Sequence, residues 1–150
     1  MMEDRTEIAV SKFLGGYNCA QSVVYSFCDD LQLEKDLALK VACGFGAGFG
    51  RKQEVCGAVT GGIIVLGAKY GRGEKDEKAM TEATYQRVRA LIDQFTERNG
   101  ALTCRGLLGG CELTTEEGQK RFKENDLLNK VCKPCVQSVV EILERMMEEA

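Results

Sequence analysis

Sulfur is the element through which this chain could do chemistry. Its 150 residues include eight cysteines but no histidine and no tryptophan. Without histidine the chain can build neither a Ser-His-Asp nor a Cys-His catalytic arrangement, and it can supply neither a His-ligated haem nor a mixed Cys/His zinc site. The candidate reactions are therefore those of thiols, either dithiol–disulfide exchange or ligation of a metal or an iron–sulfur cluster.

Four of the cysteines lie at or beside positions that the sequence marks as helix N-termini, and they are Cys19, Cys56, Cys104 and Cys132. Free backbone N–H groups and the positive end of the helix dipole stabilise a thiolate there and lower the pKa of the thiol. We predict that these four are the reactive thiols and that they converge on one site. The basic neighbours Arg51, Arg105 and Lys133 act in the same direction, but 20 Lys and Arg residues make such neighbours common by chance.

The segment Cys132-Lys-Pro-Cys135 has the C-x-x-C spacing of a thiol–disulfide motif. It lacks the preceding β-strand of thioredoxin, and no histidine follows it, which excludes covalent c-type haem attachment. The same spacing would serve as half of a four-thiolate metal site. Should a zinc ion or an iron–sulfur cluster be bound, we expect its ligands among Cys19, Cys56, Cys104, Cys132 and Cys135.

For the remaining three cysteines, the neighbouring residues predict whether the side chain is buried. Cys28 and Cys43 stand among apolar residues of predicted helices, which indicates buried packing residues. Cys111 follows two glycines and is left open between a buried and an exposed position. Packing alone is also an alternative for each of the other cysteines.

Glycine alternates with other residues between Gly44 and Gly50. The spacing matches neither the dinucleotide-binding G-x-G-x-x-G pattern nor a P-loop, and the segment before it reads as helix rather than strand. Glycines at this density let the backbone pass close to a neighbouring helix or to a bound group. We predict Gly46, Gly48 and Gly57 as residues that would contact a cofactor.

Charge and hydropathy narrow the class of partner. The net charge of -3 is spread along the chain without a basic patch, so no nucleic acid is expected. The N-terminus shows no secretory signal, and the longest weakly polar run, residues 57–68, is too short to span a bilayer. We expect a cytoplasmic protein with no membrane span and an unknown redox partner, and leave open whether it forms a homo-oligomer.

The elements that must position the thiols are predicted to be helices. Apolar residues recur at helical spacing, only one proline is present, and no segment alternates as a half-buried strand does. The prediction is an all-α single domain over residues 1–150 with about seven helices. Capping signals place helix starts at Asp4, Asn18 and Thr114, and the longest helix is predicted over residues 74–98. The last is predicted to begin near Pro134.

The order of the motifs resembles one family. The matching pieces are Asn18-Cys19-Ala20-Gln21, the glycine-rich loop, Cys56-Gly57-Ala58-Val59-Thr60-Gly61, Cys104-Arg105-Gly106-Leu107-Leu108-Gly109 and Cys132. The chain is similar over about residues 10–145 to the C_GCAxxG_C_C family, named for a Cys-Gly-Ala-x-x-Gly motif and further cysteines and inferred to be redox-active. The resemblance implies that Cys19, Cys56, Cys104 and Cys132 are the defining thiols.

That family is also similar to part of the split-Soret cytochromes, which hold haem. Lacking histidine and C-x-x-C-H, this chain is not expected to share that function. The leading hypothesis is a thiol-based redox or electron-transfer protein, either an oxidoreductase or an electron carrier, using a disulfide or an iron–sulfur cluster. The alternatives are a non-catalytic zinc module with four thiolates and a helical interaction protein whose cysteines only pack.

Overall fold

The computed structural model describes residues 4–149, and these residues form helices without a β-strand. The all-α prediction is confirmed. Eight helices follow one another in the described chain, and they are α1 (Arg5–Leu14), α2 (Cys19–Leu31), α3 (Lys35–Cys43), α4 (Gly57–Tyr70), α5 (Ala79–Asn99), α6 (Cys104–Leu107), α7 (Glu116–Glu124) and α8 (Lys133–Glu149). The helix beyond the predicted seven is α6, a single turn.

Side-chain caps fix two of the predicted helix starts. Asp4 accepts a hydrogen bond from the N–H of Thr6, and Asn18 forms a capping box with Gln21. The predicted start at Thr114 is wrong by one residue. Thr115 is the cap, because its hydroxyl accepts from the N–H of Gly118 at 2.9 Å.

The longest helix also begins later than predicted, at Ala79 instead of residue 74. The carboxylate of Asp76 accepts a hydrogen bond from the N–H of Gly73 at 2.7 Å, and the N–H of Asp76 bonds back to the Gly73 carbonyl at 3.2 Å. This local turn competes with helix formation. Gly100 ends the helix in a left-handed conformation, so that the helix ends at Asn99, one residue beyond the predicted end.

Helix α4 is the centre of the core. It has buried residues on every side, and it packs against α2, α5 and α8. The core residues include Val23 and Phe27 from α2, Val59 and Leu66 from α4, Leu91 and Phe95 from α5, and Val139 and Leu143 from α8. The part of α4 that is buried on all sides, residues 57–66, is apolar all round apart from Thr60, whereas Gly67, Ala68 and Lys69 at its end are exposed.

Two glycines allow α4 to approach its neighbours closely. A Cβ atom at Gly61 would stand 2.7 Å from the carbonyl oxygen of Ala20 in α2. One at Gly62 would stand 2.9 Å from side-chain carbons of Leu91 and Val139. The glycines of the Cys-Gly-Ala-x-x-Gly segment therefore bring the N-termini of α2 and α4 together.

The connection between α3 and α4 contains a left-handed turn, residues 47–51. All five residues have positive φ between 52° and 69°, and three of them, Ala47, Phe49 and Arg51, are not glycine. A left-handed backbone costs an L-residue roughly 1–2 kcal/mol. Backbone hydrogen bonds from Gln53 to Ala47 and from Glu54 to Gly48 hold the turn. The alternating glycines supply only some of the left-handed positions.

None of the helices within residues 4–149 combines the length and the apolar character needed to cross a lipid bilayer.

Candidate functional site

Cys19 and Cys56 lie side by side at two adjacent helix starts. Cys19 is the first residue of α2, and Cys56 is the capping residue of α4. Between them lies Gly57, where a Cβ atom would stand 3.4 Å from the Cβ of Cys19 and 3.0 Å from the carbonyl oxygen of Phe45. A larger residue at position 57 would therefore push the two thiol-bearing segments apart.

Cys104 is held next to Cys56 by the backbone. The N–H of Cys56 bonds to the carbonyl of Leu102 at 2.9 Å, and the N–H of Cys104 bonds to the carbonyl of Glu54 at 2.7 Å. An isolated bridge between Val55 and Thr103 lies at the centre of this contact. As predicted from the sequence, Cys104 begins a helix, although α6 is only one turn long.

Helix α8 begins at Lys133, next to Pro134 as predicted, but Cys132 is not at a free helix N-terminus. A π-helical turn, Leu128–Cys132, runs directly into α8. The N–H of Lys133 bonds to the carbonyl of Leu128, so the helical path continues past Pro134, whose nitrogen has no hydrogen to donate. Cys132 therefore gains no free N–H groups from a helix start.

The two cysteines of the C-x-x-C segment contact different partners. The pKa of Cys19 is shifted chiefly by its neighbour Cys132, whereas the pKa of Cys56 is shifted chiefly by its neighbour Cys135. The pairs thus connect α8, and the π-helical turn before it, with the N-termini of α2 and α4. The sequence spacing left open a local thiol pair or half of a metal site, and in the structure each of the two cysteines lies beside a cysteine that is distant in sequence.

The thiol pKa values single out Cys56. The hydrogen bond from Cys135 lowers the pKa of Cys56, and the backbone N–H groups of Ala58 and Val59 lower it further, against the opposing effect of burial. In the thiol form the side chain makes no capping hydrogen bond, so the N–H groups of α4 remain available to the anion.

The neighbouring thiols show the opposite shift. The hydrogen bond with Cys56, together with burial, raises the pKa of Cys135 far above its ordinary value. The hydrogen bond with Cys132, and then burial, raises the pKa of Cys19. Burial raises the pKa of Cys104 to about 12. The electrostatics therefore favour one thiolate, at Cys56, surrounded by neutral thiols that can donate protons or hydrogen bonds.

Five cysteines line a single pocket of about 340 Å³, namely Cys19, Cys56, Cys104, Cys132 and Cys135. Most of the other lining side chains are apolar, and they include Phe13, Tyr17, Leu107, Leu108, Leu113, Phe122, Leu128 and Val131. Arg51 and Lys123 also line it, while no aspartate or glutamate of the described chain does. Cys56 and Cys135 are 5% and 3% exposed, so the pair lies deep in the wall.

The other three cysteines lie outside this pocket. Cys28 is buried, as predicted, and Cys111 is buried with its thiol donating to the carbonyl of Gly118 at 3.1 Å. The prediction for Cys43 is wrong, because it is exposed. It ends α3, of which only Ala38 and Ala42 are buried, so its position on the helix is away from the packed side although its neighbours in sequence are apolar.

The three glycines predicted as cofactor contacts occupy different positions. A Cβ at Gly46 would stand 2.4 Å from the side chain of Asn18, and one at Gly48 would stand 2.5 Å from the backbone of Glu54. Both positions are therefore explained by close packing within the protein. Of the three, only Gly57 lines the pocket.

Sequence reasoning missed Lys123, which lines the pocket, and Gln53, which lies near it, and named Arg51 only as a basic neighbour. No motif marks Lys123. Gln53 is buried within the loop that follows the left-handed turn, where its amide donates to the carbonyl of Cys111 at 2.6 Å and accepts from the N–H of Leu113 at 2.8 Å. Only the glycine alternation before Gln53 could have indicated unusual backbone there.

Thiolates are the ligands that zinc and iron–sulfur clusters prefer, and the pocket offers only sulfur for this purpose. Within residues 4–149, however, no three Cys, Asp or Glu side chains are arranged to hold a metal ion. The arrangement that is present is five free thiols around one pocket, with Cys19 beside Cys132 and Cys56 beside Cys135, and neighbouring thiols are suited to forming and exchanging disulfides.

The fold and the pocket define a class of all-α proteins in which cysteines distant in sequence meet at adjoining helix ends. Residues 17–146 match a protein family whose description is "Putative redox-active protein (C_GCAxxG_C_C)". The chain belongs to this family, and the matched region contains all five pocket cysteines. Neither a curated protein nor a solved structure matches the chain.

Proposed function

We propose that this protein is a thiol–disulfide oxidoreductase in which Cys56 is the nucleophile and Cys135 the resolving cysteine. The observation that carries the proposal is that Cys56 and Cys135 are both buried at the wall of one pocket, where Cys135 lowers the pKa of the Cys56 thiol. A nucleophilic thiolate and a neutral partner within contact distance are the two components that disulfide exchange requires.

The reaction begins with attack of the Cys56 thiolate on one sulfur of a substrate disulfide. A mixed disulfide forms, and the first substrate sulfur leaves as a thiolate that takes a proton. Cys135 then loses its proton and attacks the sulfur of Cys56, which releases the second substrate thiol. The protein is left with a Cys56–Cys135 disulfide and has given two electrons to the substrate, whose two sulfurs take one proton from Cys135 and one from solvent. A thiol reductant restores the dithiol by the reverse exchange.

The second thiol pair, Cys19 and Cys132, allows a further disulfide exchange within the site. Cys132 lies in the same C-x-x-C segment as Cys135 and contacts Cys19. Attack of Cys132 on Cys135 would move the disulfide to Cys132–Cys135 and return Cys56 to its thiolate form, with no net change in electrons. This exchange is the role that we assign to the C-x-x-C spacing.

The test combines metal analysis with disulfide mapping. Protein purified without oxygen is analysed for zinc and iron and by visible spectroscopy, then equilibrated with mixtures of reduced and oxidised dithiothreitol. We expect metal-free protein that loses a pair of titratable thiols, with Cys56 and Cys135 joined in the first disulfide detected by mass spectrometry. Stoichiometric zinc, or the colour and iron of a cluster, would instead establish the metal-binding alternatives.

Variants separate the proposed roles. Cys56→Ser should abolish exchange, whereas Cys135→Ser should trap a mixed disulfide between Cys56 and the substrate. Cys43→Ser, an exposed position outside the pocket, is the matched control and should behave as the unmodified protein. Unchanged exchange in Cys56→Ser would overturn the assignment.

A further inference from the structure

The side chains that line the cysteine pocket indicate which class of substrate fits it, which the thiols alone do not. A ligand must enter a space of about 340 Å³, near the lower end of the range for small-molecule sites. Its walls away from the thiols are mainly leucine, valine and aromatic side chains. A compound with an apolar body therefore gains from burial there, while a strongly polar one loses its hydration without replacement.

The two charged residues of the wall have the same sign. Arg51 and Lys123 are both exposed, which places them where the pocket opens to solvent. Neither forms an ion pair with any residue of 4–149, whereas the nearby Arg105 pairs with Glu112 and Lys120 with Glu124. With no carboxylate among the lining residues, the pocket entrance has a local positive charge in a chain whose net charge is -3.

The reactive pair is also poorly placed to meet a folded protein. Disulfide exchange needs the thiolate to approach along the axis of the bond under attack. Cys56 and Cys135 are almost fully buried, so a disulfide on a protein surface cannot reach them while the pocket keeps its shape. A small molecule can enter with its disulfide forward and its charged end at the entrance.

We propose that the substrate is a small disulfide with an apolar body and an anionic group, which Arg51 and Lys123 bind at the entrance of the pocket. The inference rests on the proposed disulfide exchange and adds the class of its substrate. The step is the one written above, in which the bond cleaved is the S–S bond of the small molecule and both of its sulfurs leave as thiols.

Exchange rates with disulfides of similar reactive group but different charge test the proposal. Dithiobis-nitrobenzoate is aromatic and anionic, dithiodipyridine is aromatic and neutral, and cystamine is cationic. Each rate is divided by the rate of free cysteine with the same reagent, which removes intrinsic reactivity. We expect the order anionic, neutral, cationic, with the anionic preference falling as ionic strength rises. Insulin, as a protein disulfide, should react slowest.

Charge variants assign the preference to the two residues. Arg51→Gln and Lys123→Gln should each reduce the normalised rate with dithiobis-nitrobenzoate about two- to fivefold, the effect expected of one exposed ion pair. The rate with dithiodipyridine should not change. The matched controls are Lys52→Gln, the neighbouring residue in the chain, and Lys120→Gln, in the same helix as Lys123, because neither lines the pocket.

Binding of naphthoate, an apolar anion without a disulfide, separates the two proposals. We expect naphthoate to slow alkylation of Cys56 in the unmodified protein and to lose this effect in the double variant of Arg51 and Lys123. If naphthoate binds in this way but no disulfide forms, the redox function fails and the pocket assignment stands. If exchange occurs with no preference for the anion, or fastest with insulin, the function stands and the substrate class is wrong.

Discussion

Cys135, the third residue of α8, lies beside Cys56, the capping residue of α4, and lowers the pKa of the Cys56 thiol. This contact sets the protonation order within the pocket, because it stabilises the anion at Cys56 and the neutral form at Cys135. Removing the Cys135 side chain should therefore raise the pKa of Cys56, whereas removing the Cys56 side chain should lower the pKa of Cys135.

The reactivity of Cys56 should depend on pH in a way that reveals its partner. Since its pKa is lowered, alkylation of Cys56 by iodoacetamide should reach half its maximal rate below the pH typical of a free thiol. Cys135→Ala removes the donor, so the pKa of Cys56 should rise and the midpoint should move to higher pH. Cys111→Ala, a buried cysteine outside the pocket, is the control and should leave the midpoint in place. A midpoint that is equal in both variants would contradict the role of Cys135.

The raised pKa of Cys104 predicts a loss of stability in alkaline solution. Above about pH 9 the unfolded chain loses this proton, while the folded protein keeps it up to about pH 12. The unfolded state then binds fewer protons, so the free energy of unfolding falls as pH rises, by about 1.4 kcal/mol per pH unit for this group. Below about pH 9 the contribution of the Cys104 thiol to the free energy of unfolding is fully present.

Urea unfolding of reduced protein between pH 8 and 11, about the range set by those pKa values, measures this slope. Cys104→Ala lacks the titrating group, so its stability should fall less steeply than that of the unmodified protein over the same range. Parallel curves for the two proteins would show that Cys104 does not keep its proton in the folded state.

The helical fold was predictable because its signals are local. Asp4 and Asn18 cap helices through neighbours two or three residues away, and Gly100 ends α5 through its own backbone conformation. The errors arose where a local competitor was overlooked, as with the turn around Asp76, or where the helix continued through a π-helical turn before Pro134.

The site was predictable only in part, for a related reason. Capping signals at Asn18 and Thr103 led to Cys19 and Cys104, and the glycine-rich loop led to Cys56, because each signal lies beside its cysteine in the sequence. The pairing of Cys135 with Cys56, and the presence of Lys123 at the pocket, depend on how distant helices pack. Cys43 shows the same limit, since its neighbours in sequence are apolar but the packed side of α3 faces away from it.

Two cysteines outside the pocket should respond differently to substitution. Cys28→Ala leaves a small cavity in the core and should lower the free energy of unfolding by about 1 kcal/mol without changing exchange activity. Cys43→Ser is at an exposed position and should change neither stability nor activity. Denaturant unfolding and the disulfide exchange assay check both. Loss of exchange in Cys28→Ala at unchanged stability would mean that this thiol takes part in the chemistry.

The close approach of α2 and α4 makes Gly61 sensitive to one added methyl group. Gly61→Ala would place a Cβ 2.7 Å from the carbonyl oxygen of Ala20, so the helices must separate, at a cost of about 1–3 kcal/mol. Gly67→Ala in the same helix meets nothing within 4 Å and should raise stability by up to about 1 kcal/mol. Thermal unfolding of the two variants gives the comparison. Equal effects would show that the helices are not in close contact at Gly61.

In the left-handed turn, replacing alanine by glycine should raise the free energy of unfolding, which is the opposite of the usual effect. Ala47 has a φ of 52°, a conformation that costs an L-residue roughly 1–2 kcal/mol and costs glycine almost nothing. Ala47→Gly should therefore raise the free energy of unfolding by about 0.5–1 kcal/mol, after the greater chain entropy of glycine in the unfolded state offsets part of the gain. In the right-handed helix α5, Ala83→Gly should instead lower it by a similar amount, about 0.5–1 kcal/mol. Urea unfolding measures both, and a loss of stability in Ala47→Gly would rule out the left-handed conformation at this position.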